Sequence, residues 1–142
     1  MNPVACELCA LTTEPVYRDA RLAVILADDP AYPGFCRVVW HAHVKEMSDL
    51  APADRLALNQ AVWHVEVALR AVMAPGKINV ASLGNVVPHL HWHVIPRYAD
   101  DAHFPNPIWG DKLRQTAASV LAARRALLPN LKAEIVRRMK IQ

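Results

Sequence analysis

Short apolar runs alternate along this chain with stretches of helical spacing. Residues 22–27, Leu-Ala-Val-Ile-Leu-Ala, form an apolar run that reads as a strand. Asp28-Asp29-Pro30-Ala31-Tyr32-Pro33-Gly34 is rich in chain breakers and reads as a turn. Residues 35–41 return as a second strand, so the pair predicts a hairpin. Over residues 52–73, Leu58, Val62, Val65, Leu69 and Val72 recur at helical spacing. Pro52 suits the first helical position, Asp54 suits the first turn, and Pro75-Gly76 ends the run. Residues 77–82 read as a strand and Leu83-Gly84-Asn85 as a bend. A further strand over 88–97 is predicted to pair antiparallel with 77–82. Residues 99–110 are irregular, with Pro105, Pro107 and Gly110. Residues 111–128 are Ala-rich and read as a helix, and 130–140 as a second helix after Pro129. Strands followed by helices, without regular βαβ alternation, predict an α+β domain with an antiparallel sheet.

The segment Pro88-His89-Leu90-His91-Trp92-His93-Val94-Ile95-Pro96-Arg97 carries the most informative pattern. Side chains alternate faces along a strand, which puts His89, His91 and His93 on one face and Leu90, Trp92 and Val94 on the other. Same-face neighbours sit roughly 6.6–6.8 Å apart. One face then suits a core, and the other suits chemistry near neutral pH.

Composition narrows what that chemistry serves. A chain of 142 residues suits one domain with a real core. No apolar run reaches the roughly 20 residues that span a bilayer. The N-terminus has no basic stretch followed by an apolar run, so no signal peptide is expected, and a cytoplasmic location follows. The net charge is +3, from 16 basic and 13 acidic residues. The excess lies near the C-terminus, at Arg124, Arg125, Lys132, Arg137, Arg138 and Lys140, and reads as a solvated helix face. Without a nucleic-acid-binding motif or aromatic interleaving, neither nucleic acid nor membrane is an expected partner. Three cysteines, Cys6, Cys9 and Cys36, argue against a disulfide framework. Cys6-Glu7-Leu8-Cys9 has the two-residue spacing that lets two thiolates grip one zinc, with any further ligands drawn from distant histidines.

Two chemistries fit the histidine strand. In the first, the histidines ligate a catalytic metal. His89 and His93 would lie roughly 13 Å apart along a straight strand, so one ion takes two of the three and not all. In the second, the middle imidazole attacks phosphorus and a neighbour hydrogen-bonds the phosphate or the leaving group, splitting one displacement into two steps. The attacking nitrogen must be unprotonated, so the other ring nitrogen should donate to a fixed acceptor. Asn79, Asn85 and the backbone amides after Gly84 are nearby phosphate donors.

His89-Leu90-His91-Trp92-His93-Val94-Ile95 matches the pattern His-φ-His-φ-His-φ-φ, with φ apolar, and so resembles the histidine-triad (HIT) superfamily. The paired strands at 22–41, His43, the helix and Pro96-Arg97 are similar too, and the resemblance covers roughly residues 6–110. The stretch from Asp100 to Gly110 resembles a bacterial subgroup often named as diadenosine tetraphosphate hydrolases. The resemblance implies a HIT-like α+β fold, an antiparallel sheet of about five strands with a central helix and C-terminal helices. It implies a HIT domain over 1–110, with 111–142 a C-terminal helical extension packed on it.

It also implies a nucleotide hydrolase that cleaves at the α-phosphate of dinucleoside polyphosphates or nucleoside phosphoramidates. The reaction would pass through a covalent nucleotidyl-histidine and release the nucleoside monophosphate. His91 would be the nucleophile, and His93 would hydrogen-bond the phosphate and help the leaving group. Asn79, Asn85 and Gly84 would contact phosphate. Asp28, or equally Asp29, would bind ribose, and Ile25, Leu26 and Phe35 are candidates for the nucleoside pocket. A structural zinc would be held by Cys6, Cys9, His43 and His89, leaving Cys36 as a small core residue. Magnesium would enter only with a polyphosphate substrate. A homodimer is implied, with Trp109 and the C-terminal helix reaching a partner's site. The chain departs from the pattern at Asn85 and Val86, where related proteins place Gln and a hydroxyl residue. His93 replaces the glutamine of the nucleotidyl-transferase branch, which favours hydrolysis. The competing readings are a non-enzymatic nucleotide-binding or regulatory protein and a metalloprotein using the triad histidines as ligands.

Overall fold

The computed structural model describes residues 6–141. Over these residues it holds one five-stranded antiparallel sheet, three α-helices and a short 3-10 helix at Met47–Asp49. The strands are β1 (Tyr17–Arg18), β2 (Leu22–Leu26), β3 (Cys36–Trp40), β4 (Lys77–Ala81) and β5 (His91–Arg97). The helices are α1 (Pro52–Met73), α2 (Ala118–Arg125) and α3 (Leu128–Met139). The sheet order is β1-β2-β3-β5-β4, with every neighbouring pair antiparallel. This is the expected α+β architecture.

The expected hairpin forms between β2 and β3, with Leu22 opposite Trp40 and Leu26 opposite Cys36. Its turn ends at Gly34, whose φ of +91° lies in the left-handed region that glycine enters without steric cost. A Cβ there would collide with the Met73 sulfur, so the turn also packs tightly on the end of α1. β1 is a two-residue edge strand that apolar patterning does not announce.

One face of the sheet carries the main core. Leu22, Val24, Cys36, Val38, Trp40, Ile78 and Val94 meet Leu58, Ala61, Val65, Ala68 and Leu69 of α1. Val62 and Val72 pack at the margin of that core. α3 adds Leu131, Ile135 and Met139 to the same core, so the C-terminal helix is part of the packed body. Cys36 is fully buried, and burial pushes its thiol up to about 12, which makes it an unreactive apolar filler.

Two expectations change. The histidine strand begins at His91, and His89 precedes it: its backbone N–H closes a turn onto the Val87 carbonyl. The helix expected over 111–128 is shorter, because α2 starts only at Ala118. The preceding segment is held extended by loop contacts. Both Leu113 and Arg114 donate their backbone N–H to the Ala102 carbonyl. The Arg114 guanidinium donates to the carbonyls of Asp101 and Phe104, and the Thr116 hydroxyl to that of Asp100. Donors spent on the loop are lost to a helix, whatever the alanine content. Pro96 lies inside β5 without harm, since pairing with β3 already ends at Val94 and only β4 continues beside it.

Ile135 is completely buried on α3. Ile135→Ala should therefore lower unfolding stability by about 2–5 kcal/mol in a denaturant titration. A surface extension would tolerate the change almost without cost.

Candidate active site and metal centre

The second face of the sheet carries the chemistry. β5 sets His91 and His93 on one face, and the register puts Val39 opposite His91 and Arg37 opposite His93. The intervening Trp92 and Val94 turn into the main core. The His91 and His93 rings stand edge to face with centroids 4.9 Å apart. His91 Nδ1 donates to the backbone carbonyl of His89 at 2.5 Å. That bond keeps a proton on Nδ1, so that in the neutral ring Nε2 is the nitrogen with the lone pair an attacking imidazole needs. The Ser82 hydroxyl holds the backbone at the same residue by donating to the His91 carbonyl at 2.8 Å.

Both histidines open into a cleft of about 430 Å³, lined among others by Arg37, Gly84, Asn85 and Trp109. Phe35 lies 5.6 Å from the His93 ring on one side and the half-exposed Trp109 indole lies 5.1 Å away on another. Burial among these rings, with His91 and Arg37 close by, pushes the His93 imidazole down to about 4. It is neutral at pH 7.

Trp109 is placed by a buried ion pair. The Arg97 guanidinium donates to both Asp101 oxygens, at 2.8 and 3.0 Å, and both side chains are essentially solvent-free. It also donates to the Asn79 side-chain oxygen and to the Asn106 carbonyl, each at 2.7 Å. Asp101 further accepts from the backbone of Tyr98, His103 and Phe104 and from the Tyr32 hydroxyl. These bonds hold its carboxyl far below the usual range despite burial. The irregular stretch after β5 is thus folded around one carboxylate, and it returns Trp109 to His93.

His89 belongs to a different group. Its Nδ1 lies 3.4 Å from the Cys6 sulfur, 3.5 Å from the Cys9 sulfur and 3.2 Å from His43 Nδ1. Cys9 sulfur and His43 Nδ1 are 3.3 Å apart, and all four ligand atoms lie within 4.8 Å of one another. Bonds of about 2.0–2.3 Å to a tetrahedral zinc imply edges of roughly 3.3–3.8 Å, so the four atoms stand where one ion would hold them. The second ring nitrogen of His89 donates to the Trp40 carbonyl at 2.5 Å, which frees Nδ1 for a metal. Two thiols and two imidazoles saturate a tetrahedral ion and leave no open position. Among the described residues this is the sole cluster of metal-type ligands, and it takes one triad histidine while the cleft takes two.

The HIT domain family model matches residues 10–100, well over half of the chain. The chain belongs to the HIT family. The AP-4-A phosphorylase of Mycobacterium tuberculosis is 33% identical over 93 residues, which is 59% of this chain and 46% of that protein. The asymmetrical bis(5'-nucleosyl)-tetraphosphatase of Schizosaccharomyces pombe is 29% identical over 90 residues, 60% of this chain and 50% of that one. The chain therefore spans about half the length of the curated relatives it matches. Among solved structures, a histidine triad protein from Bradyrhizobium japonicum is similar over 89% of this chain and 90% of its own, with 27% identity and a TM-score of 0.71. A zinc-bound histidine triad family protein from Mycobacterium smegmatis shares the fold over 98% of this chain and 99% of its own, with 18% identity and a TM-score of 0.66.

Within this HIT domain the expected residues scatter. His91, His93, Gly84 and Asn85 line the cleft together. Asn79 sits on β4 with its side-chain oxygen committed to Arg97, and Asp28 is exposed just beyond β2; neither joins the cleft lining. Half-buried Asp29 accepts from the Ala31 N–H and shapes the hairpin turn. Ile25 joins a small cluster with Cys6, Leu8 and Val39. Trp109 packs against His93 of its own chain and stays half-exposed. Sequence reasoning passed over Arg37. Its signal was a lone charge in the apolar strand Cys36–Trp40, one residue on from Cys36 in the return strand of the hairpin.

The His93 ring should stay neutral from pH 8 down to below 5, with a midpoint near 4, when followed by NMR of its ring carbons. Arg37→Leu removes one of the charges that disfavours protonation and should move that midpoint up. A midpoint at the ordinary histidine value of about 6.5 in the wild type would contradict the buried placement.

Proposed function

We propose that the chain is a nucleotide hydrolase working through a nucleotidyl-His91 intermediate. The hydrogen bond from His91 Nδ1 to the His89 carbonyl carries this reading, because it keeps the ring proton on Nδ1 and so makes Nε2 the attacking nitrogen of the neutral ring. In the first step His91 Nε2 forms a bond to the α-phosphorus as the bond from phosphorus to the leaving group breaks. Neutral His93 hydrogen-bonds the phosphate, and Gly84 and Asn85 line the cleft where its oxygens would sit. In the second step water attacks the same phosphorus, the nitrogen–phosphorus bond breaks, and a nucleoside monophosphate leaves with His91 restored. The names of the mycobacterial and yeast relatives support dinucleoside tetraphosphates as the substrates to try first, and the mycobacterial name supports adenosine as the base. Water is favoured over phosphate as the acceptor because a histidine, able to assist its deprotonation, stands at position 93.

We further propose that Cys6, Cys9, His43 and His89 hold a structural zinc, supported by the tetrahedral spacing and by the zinc-bound mycobacterial neighbour of the same fold. The ion would pin the N-terminal segment to the turn ahead of β5. No step of the reaction uses it.

Rapid quench with diadenosine tetraphosphate, followed by intact mass measurement, should reveal an acid-labile nucleotidyl adduct. The adduct should be missing in His91→Ala and longer-lived in His93→Ala. An adduct that survives His91→Ala would sink the assignment. For the metal, native mass spectrometry should find one zinc per chain. Its removal by a strong chelator should lower the thermal midpoint while leaving turnover measurable below the new midpoint. Abolished turnover in a chelated but still folded protein would make the ion catalytic.

A further inference from the structure

Arg37 is charged and lines the cleft, and its effect on the His93 ring leaves its own hydrogen-bonding groups unused. Its strand is otherwise apolar, Cys-Arg-Val-Val-Trp, and its register position opposite His93 puts both side chains on the same face. The guanidinium carbon lies 5.4 Å above the Phe35 ring, which holds the group in place by its flat face. Nε is buried and has no hydrogen-bond partner among the described residues. No carboxylate among them pairs with Arg37, whereas Arg97 is fully engaged by Asp101, Asn79 and Asn106. Leaving a cationic donor unsatisfied beside a pocket costs stability, and such a group is explained by a ligand that completes it. Arg37 is also the one cation among the residues lining the cleft, and Glu7 is the one acid.

We propose that Arg37 binds the phosphates beyond the scissile bond, so that the substrate class is a dinucleoside or other nucleoside polyphosphate and not a nucleoside phosphoramidate. This rests on the hydrolase reading and decides between its two substrate classes. In a polyphosphate the group leaving phosphorus carries several negative charges. The planar guanidinium fork matches two phosphate oxygens at once, and its charge stabilises the oxyanion that departs. The amine that leaves a phosphoramidate carries no anionic oxygen and gives the fork nothing to hold. The Phe35 contact and the burial of Nε restrict the guanidinium before substrate arrives, which lowers the side-chain entropy lost on binding.

The test compares kcat/KM for diadenosine tetraphosphate with that for adenosine 5'-phosphoramidate in wild type, Arg37→Leu and Arg37→Lys, each checked for a folded circular dichroism spectrum. The ratio of tetraphosphate to phosphoramidate should fall roughly tenfold to a hundredfold in Arg37→Leu, the worth of a charge-assisted hydrogen bond, and recover in part in Arg37→Lys. A ratio within threefold of wild type overturns the proposal. An equal loss on both substrates does so too, because the guanidinium would then serve the nucleotide half they share. If wild type cleaves neither substrate, the hydrolase reading fails, and calorimetry with inorganic tripolyphosphate decides the proposal separately. Binding weakened tenfold or more in Arg37→Leu supports an anion subsite, and equal binding overturns it.

Discussion

His89 is the hinge on which the site depends. Its imidazole belongs to the Cys6, Cys9 and His43 cluster, and its other ring nitrogen is tied to the Trp40 carbonyl. Its own backbone carbonyl accepts the Nδ1 proton of His91. One residue therefore links a four-ligand anchor to the tautomer of the imidazole two positions on. With zinc on Nδ1 the ring would be held on both nitrogens, which would steady the backbone whose carbonyl takes the His91 proton. Here the order of three similar side chains matters because the backbone leaves the strand at the first of them.

The same division shows how much the sequence discloses. The α1 helix, the β2–β3 hairpin and β4 follow from local apolar spacing and breaker residues, and each forms within a residue of its expected limits, while the expected pairing of β4 with β5 is present. Periodicity alone extends the histidine strand back to Pro88, because alternation continues through Leu90. It ends at His91, and His89 lies beside residues far away in sequence. Those neighbours, at positions 6, 9 and 43, were legible only through the resemblance to the family. Spacing supplied the thiol pair and nothing to choose the imidazoles. The extended stretch ahead of α2 and the position of Trp109 were not legible at all. Both depend on Asp101 and on carbonyls of the 98–106 loop that no local pattern announces.

Electrostatics divides the molecule in a similar way. Arg97 and Asp101 form a buried pair whose every polar atom is met, so it specifies the loop. Arg37 lies on the same sheet with its charge unmatched and open to the cleft. Two arginines of one sheet thus differ in what completes them. The first is completed by the fold. The second waits for an anion, beside a histidine that the surrounding rings keep neutral. A cleft with the neutral His93 imidazole and one cation suits a phosphate ester better than a metal ion, since among the described residues the metal-type ligands gather elsewhere.

The claim that the anchor sets the nucleophile is tested most directly by the tautomer of His91. Long-range 15N–1H correlation of the ring in zinc-loaded protein at neutral pH distinguishes the two nitrogens. A proton on Nδ1 with Nε2 bare is the predicted result. A proton on Nε2 would mean that the His89 carbonyl does not hold the ring, and it would contradict the account.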